Sequence, residues 1–288
     1  MNLIKTKRIL FMGSPDFACP TLEMLIHEFS NSDIHICTQA DKPSGRNKKI
    51  SPTPIKKLAL KYQKPVYTPQ SKQELTTCVQ TINPDLIIVV AYGFIIEKAI
   101  TDHYICINIH GSLLPKYRGA TPMQAALLNQ DKQTGITLIK MDEGCDTGPI
   151  LALQTCPIQD NDYINTLHDK LSLLGAETLK KYLKNTTQKI TCTPQNNLKA
   201  SYCQKINKDD LKLDLTQTAE KNLAKIRAYS PVPGAYFLHK NKRFKVLKAL
   251  IADNKLIITS IKPEGKKEMI WQEACHGYPE LKKIHFQS

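Results

Sequence analysis

The chain has 288 residues, 41% of them hydrophobic and 23% charged. That is enough length and apolar content for about two domains with real cores, and it excludes a disordered tail or a disulfide-stapled miniprotein. Nine scattered cysteines include no Cys-x-x-Cys pair, which argues against a zinc cluster and for reduced thiols in a cytoplasmic protein. The apolar run Ile9 to Met12 is far shorter than a signal-peptide core. No later run approaches the roughly 18 residues that span a bilayer, so no membrane partner is expected. Of the net charge of +14, residues 189 to 288 carry +10, from 19 basic and 9 acidic side chains. Such an excess attracts polyanions such as nucleic acid, although a solvated lysine-rich surface gives the same composition.

Lys7 to Met12 reads as a strand, Gly13-Ser-Pro as a turn, and Cys19 to Phe29 as a helix, with Leu22, Leu25, Ile26 and Phe29 at helical spacing. A strand at Ile34 to Thr38, a helix at Thr53 to Tyr62, a short strand at Pro65 to Tyr67 and a helix at Lys72 to Ile82 follow. Leu86 to Ala91 is a continuous apolar run of the kind a parallel central strand needs when both its faces are buried. The alternation predicts an open, Rossmann-like, mostly parallel α/β sheet with helices on both faces and ligands beyond the carboxyl ends of its strands. After a helix from Tyr163 to Leu183, the polar stretch from Asn185 with Pro194 reads as a linker, giving domains at 1–184 and 203–288 joined by 185–202. In the second domain a helix is expected over Gln217 to Ala228. Strands at Ala235 to Leu250 and Lys255 to Ile261, with Asn-Lys and Asp-Asn turns, make that domain β-rich.

Six of the twelve glycines fall between residues 93 and 148, where the backbone must turn tightly or approach a ligand. Within that window, Asn108 and His110 are two apart at the end of an apolar segment, so they project from one face of a strand end, with Gly111 opening the loop behind them. An amide donor beside an imidazole suits a developing oxyanion. The loop from Met141 to Gly148 carries Asp146, a carboxylate able to orient the imidazole or accept a proton. Cys145 beside it has no activating neighbour in sequence and reads as a bystander. Gly13-Ser-Pro-Asp16 lacks the third glycine of a dinucleotide fingerprint and the lysine of a phosphate loop.

Gly13-Ser-Pro-Asp-Phe-Ala, Asp41 to Lys49, Val89-Val-Ala-Tyr-Gly93, Asn108-Ile-His-Gly-Ser-Leu-Leu-Pro-Lys-Tyr-Arg-Gly119 and Met141 to Gly148 stand in the order seen in the methionyl-tRNA formyltransferase family, which this sequence resembles over nearly its whole length. The resemblance implies a donor, 10-formyltetrahydrofolate, and an acceptor, initiator methionyl-tRNA, handled by a monomer that needs no metal. It implies that Ser112, Leu113, Leu114 and Pro115 line the folate site, with Val90, Ala91, Tyr92 and Gly93 receiving the pterin ring. Asn108, His110 and Asp146 then perform the transfer. Arg46 would meet the acceptor stem from a loop that also carries Lys42, Lys48 and Lys49. A small carboxyl-terminal OB-like β-barrel would help hold the tRNA, with Lys205, Lys208, Arg227, Lys240, Lys242, Arg243 and Lys245 as candidate phosphate contacts. The sequence departs from relatives at Ser230 and Val232, between Lys248 and Ile261, and after Trp271. Formylation of a small amine, or nucleic-acid binding by an inert enzyme-like domain, are the alternatives.

Overall fold

The computed structural model describes residues 7–44, 49–185 and 191–283. In chain order the elements are β1 (Arg8–Gly13), α1 (Cys19–Glu28), β2 (Asp33–Cys37), β3 (Lys42–Ser44), β4 (Lys49–Ser51), α2 (Pro54–Lys61), β5 (Val66–Tyr67), α3 (Lys72–Ile82), β6 (Leu86–Val90) and α4 (Lys98–Thr101). Then come β7 (Cys106–His110), β8 (Arg118–Gly119), α5 (Pro122–Leu128), β9 (Gln133–Lys140), β10 (Ile150–Pro157) and α6 (Ile164–Asn185). The carboxyl-terminal part adds β11 (Tyr202–Cys203), α7 (Ala219–Tyr229), β12 (Tyr236–His239), β13 (Lys242–Ala252), β14 (Lys255–Pro263), β15 (Met269–Ile270) and α8 (Trp271–Gly277).

Seven strands form one sheet in the order β10-β9-β7-β6-β1-β2-β5. β1 pairs in parallel with β2 and β6, β2 with β5, and β6 with β7, while β9 runs antiparallel to β7. The chain first builds outward from β1 through β2 to β5, then returns to build the other half from β6. The strand order therefore reverses between β1 and β6, and in open sheets of this kind ligands bind beyond the carboxyl ends of the strands at such a point. Burial explains the placement: Ile9 to Met12 in β1 and Leu86 to Val90 in β6 are covered on both faces. Fully burying each such aliphatic side chain is worth about 1.5–3 kcal/mol.

The helix ends carry their own signals. The Thr53 hydroxyl accepts from the Lys56 amide ahead of Pro54, and the Ser71 hydroxyl accepts from Glu74 N, so α2 and α3 start where the sequence reading placed them within a residue. β9 and β10 have no counterpart in that reading. Residues 134–139 of β9 are all buried, but Thr134, Gly135 and Thr137 break the apolar pattern that would have marked the strand.

The chain divides into two compact units, Met1–Arg118 with Gly135–Cys156 and Asp169–Tyr202, and Gly119–Thr134 with Pro157–His168 and Cys203–Ser288. The second unit contains an antiparallel sheet in the order β12-β13-β14-β15. Two-residue turns at Lys240-Asn241 and Asp253-Asn254, with φ of 46° and 61° and of 49° and 59°, join its first three strands. The first of these turns lies one residue before the Asn-Lys pair read from sequence. Across β12 and β13, Phe237 stacks on Phe244 with ring centroids 5.4 Å apart.

Candidate active site

β7 alternates as expected, with Asn108 half-buried and His110 buried on one face. Cross-strand pairing sets His110 opposite Thr137 of β9. The Thr137 hydroxyl donates to Ser112 O at 2.7 Å and accepts from Leu114 N at 3.1 Å. One side chain thus fixes the turn that carries Ser112 to Pro115. The Ser112 hydroxyl, itself buried, donates to Lys116 O at 2.6 Å, so it shapes the loop rather than facing out of it.

The structure brings Asn108, His110 and Asp146 onto one carboxylate oxygen. Asn108 Nδ2 donates to Asp146 Oδ1 at 3.2 Å, and His110 Nδ1 lies 3.5 Å from the same oxygen. The other ring nitrogen, Nε2, is 2.9 Å from Tyr117 O, which can only accept, so Nε2 carries a proton. The two aspartates of the loop have separate tasks. Asp142 Oδ1 accepts from Gly144 N and from the Thr147 hydroxyl, closing the loop on itself. Asp146 takes a left-handed backbone with φ of 55°, which turns its carboxylate toward β7. A Cβ at Gly148 would lie 1.9 Å from Lys140 O, so only glycine lets the loop pass that close to the end of β9. Cys145 is exposed, with Sγ 3.6 Å from Asp146 Oδ2.

At the carboxyl ends of β1 and β6, Ala91 and Gly93 have φ of 47° and 89° and are exposed, while Tyr92 between them is buried. The Ser14 hydroxyl donates to Tyr92 O at 3.1 Å and ties this turn to the end of β1. That is the role the structure gives to Gly13-Ser-Pro. The Tyr92 hydroxyl meets Cys37 Sγ at 3.0 Å; burial, then the neighbouring thiol, push its ionisation far up, so it stays protonated.

Arg46 and Lys48 lie outside the described residues, and the side chain of Lys49 is not described. Lys42 is exposed and donates to Gln39 Oε1 at 3.0 Å. Lys205, Lys208, Lys240, Lys242 and Arg243 are exposed on the second unit. Arg227 instead donates to the backbone oxygens of Asp162 and Gln159, and Lys245 to Pro233 O. Burial, then Arg243 and Lys262 nearby, hold the Lys245 ammonium below its ordinary range.

Three residues were not singled out in the sequence. Thr137 lies in the unpredicted β9. Arg118 stood inside a quoted motif without a role, and Gln195 lies in the stretch read as a linker. Residues 191–202 are in fact hydrogen bonded along the first unit: Ile150 and Thr193 exchange two backbone bonds at 2.8 Å, and Gln195 Nε2 donates to the Asp146 and Gly148 carbonyls.

A mostly parallel sheet with an amide, an imidazole and a carboxylate clustered at a strand end is an arrangement suited to group transfer, in which charge must be stabilised and a proton moved. Residues 7–183 match the family model described as formyl transferase, and residues 205–256 match the formyl transferase C-terminal domain. The methionyl-tRNA formyltransferase of Kosmotoga olearia is 42% identical over 252 residues, covering 86% of this chain and 81% of its own. The one from Halorhodospira halophila is 36% identical and covers 94% and 96%. The chain belongs to the methionyl-tRNA formyltransferase family. Among solved structures, the methionyl-tRNA formyltransferase from Clostridium thermocellum superposes with a TM-score of 0.62 at 17% identity, over 89% of this chain and 98% of that one. HypX from Aquifex aeolicus, solved with tetrahydrofolic acid, gives 0.67 at 15% identity over 99% of this chain, which spans about half, 49%, of the HypX chain. At these identities the likeness concerns the fold.

Proposed function

We propose that this enzyme transfers the formyl group of 10-formyltetrahydrofolate to the α-amino group of initiator methionyl-tRNA, as a cytoplasmic monomer. The observation that carries the chemistry is the single Asp146 oxygen shared by the Asn108 amide and the His110 ring. As the amine attacks the formyl carbon, negative charge develops on the formyl oxygen. Asn108 has a second amide hydrogen beyond the one given to Asp146, and donates it to that oxygen. His110, with its Nε2 proton given to Tyr117 O, turns Nδ1 toward the same Asp146 oxygen and so stands beside the reacting centre. Asp146 accepts the proton that the attacking nitrogen must lose, directly or through water; as the intermediate collapses, the bond from the formyl carbon to N10 breaks and N10 takes up a proton, so tetrahydrofolate leaves and the carboxylate is regenerated.

The folate co-substrate fits the outward-turned backbone at Ala91 and Gly93, because a flat pterin ring with donors and acceptors on its edge is recognised by backbone groups. Leu113, Leu114 and Pro115 supply the apolar wall. In the tRNA role, residues 203–288 act as the holding domain and residues 1–184 as the catalytic domain. Five exposed cations, Lys205, Lys208, Lys240, Lys242 and Arg243, are the phosphate contacts. Arg227 and Lys245 serve their own unit. Lys42, Arg46, Lys48 and Lys49 guide the acceptor stem.

Single-turnover transfer with wild type, Asn108→Ala, His110→Ala, Asp146→Asn and Arg46→Ala tests this reading. The first three variants lose transfer to tRNA and to a small methionine ester alike, while Arg46→Ala is impaired only with tRNA. A wild type that binds tRNA yet transfers nothing refutes the proposal.

A further inference from the structure

We infer that Gln195, oriented by the buried Arg118, is a positioning residue for Asp146, so that the segment 191–202 belongs to the catalytic machinery; the inference rests on the transfer reading above. Arg118 is 1% exposed. Its Nε and Nη2 donate to Gln195 Oε1 at 3.1 and 2.8 Å, Nη2 also donates to Asn197 Oδ1 at 2.8 Å, and Nη1 donates to the Tyr202 hydroxyl at 3.2 Å. A guanidinium has donors only, so the Gln195 side chain must turn its oxygen toward it. The amide nitrogen then faces the opposite way, where it donates to Asp146 O at 2.8 Å and Gly148 O at 2.7 Å. Both hydrogens of Nε2 and the oxygen are engaged, and reversing the amide would set an NH2 group against a cation and an oxygen against two carbonyls. The orientation is therefore determined by charge.

The consequence falls on a residue whose backbone is unusual. Asp146 is in the left-handed region, and a non-glycine residue persists there only when its surroundings hold it. Gln195 pins the Asp146–Thr147 and Gly148–Pro149 peptide groups from a single point, which holds the turn presenting the Asp146 carboxylate to Asn108 and His110. The same segment reaches the other side of the imidazole. The Ser201 hydroxyl accepts from Tyr117 N at 2.9 Å, Ser201 O accepts from Arg118 N at 2.8 Å, and Ser201 N donates to Pro115 O at 3.2 Å. Tyr117 O is the acceptor for His110 Nε2. One stretch of chain thus holds the backbones of Asp146 and Tyr117, the two residues whose carboxylate and carbonyl flank the His110 ring.

The test uses the full chain and two variants. Gln195→Ala removes the amide, and Gln195→Met keeps its length and packing without its polar end. Both are assayed by transfer kinetics, alone and combined with Asp146→Asn. Displacing a reacting group by about 1 Å can cost about 100-fold, so kcat is expected to fall roughly 10- to 100-fold in each single variant, with the KM for the formyl donor within about twofold of wild type. In the Asp146→Asn background the same substitutions are expected to cost less than about threefold, because the carboxylate they position is gone. A Gln195→Met enzyme as active as wild type, or one losing the same factor with and without the Asp146 carboxylate, overturns the positioning role. A change confined to thermal stability overturns it as well. A wild type that transfers no formyl group overturns the transfer reading itself, so the two failures are distinguishable.

Discussion

At the end of β7, the side chains proposed to carry the chemistry are buried or half-buried, and each is held by a named partner at hydrogen-bond distance. On the β12–β15 sheet, the candidate phosphate contacts stand in solvent, and two of them rest on aromatic faces. Arg243 lies 4.5 Å from the Tyr236 ring centre and Lys242 lies 5.6 Å from that of Tyr278. The difference follows from what each region has to do. Stabilising charge on one oxygen requires donors fixed to within a few tenths of an ångström, and only a packed, over-determined site supplies that. Attracting a polyanion requires charge at a surface, and tolerance in position costs little.

The largest effect is expected at the fixed region. Asp146→Asn should lower single-turnover transfer by about 100- to 10,000-fold and leave tRNA binding intact, measured by rapid quench and filter binding on the same preparations. Asn108→Ala should follow with a loss of about 100- to 1,000-fold. If either loss proved to be a binding loss, the sharp division between the two regions would fail.

A smaller and differently shaped effect is expected on the exposed sheet. Replacing Lys242 and Arg243 together by alanine should raise the KM for tRNA several-fold and preserve kcat at saturation. The logarithmic dependence of binding on salt should become shallower by roughly two charges. Titrating tRNA at three ionic strengths reads this directly, and a fall in kcat would count against it. Next to the Asp146 carboxylate, Cys145→Ser should change turnover by less than about twofold, since a serine hydroxyl can donate to Asp146 Oδ2 as the exposed thiol does. A larger change would move Cys145 into the site.

The smallest effect concerns only the scaffold. Hydrogen bonds from Lys180 and Lys184 on α6 hold the Glu28 carboxyl on α1 down to about 2. Its folded value lies below its ordinary one, so the contribution to stability is present above the unfolded value and is lost as pH falls from about 4.5 toward about 2. Glu28→Gln should therefore lower Tm slightly at neutral pH, because the pair is exposed, and the difference should close across that acid window in stepped thermal melts.

Much of the first unit was legible because its signals are local. The β6 run, the helical spacing of Leu22, Leu25, Ile26 and Phe29 and the alternation of Asn108 with His110 depend on residues within a few positions of one another. The hairpin turns of the second unit were marked by asparagine and aspartate, which tolerate left-handed backbone. β9 was not legible, since its buried face uses threonine and glycine and its place in the sheet depends on β7.

The pairing of Asn108 with His110, the glycines of the loops around them and the concentration of positive charge toward the carboxyl end could be read from residue type and short spacing, whereas Asp146, 38 positions from Asn108, could be read only as a carboxylate on a glycine-flanked loop. Only the tertiary structure decided that Asp142 closes a loop while Asp146 faces the imidazole, that Thr137 staples the Ser112 turn, and that Arg227 and Lys245 are committed to carbonyls. It alone joined Arg118 to Gln195, 77 positions away, and Gln195 to Asp146, 49 positions away. Hydrogen bonds across such separations leave no periodic trace in a sequence, because the partners become neighbours only once the sheet has assembled.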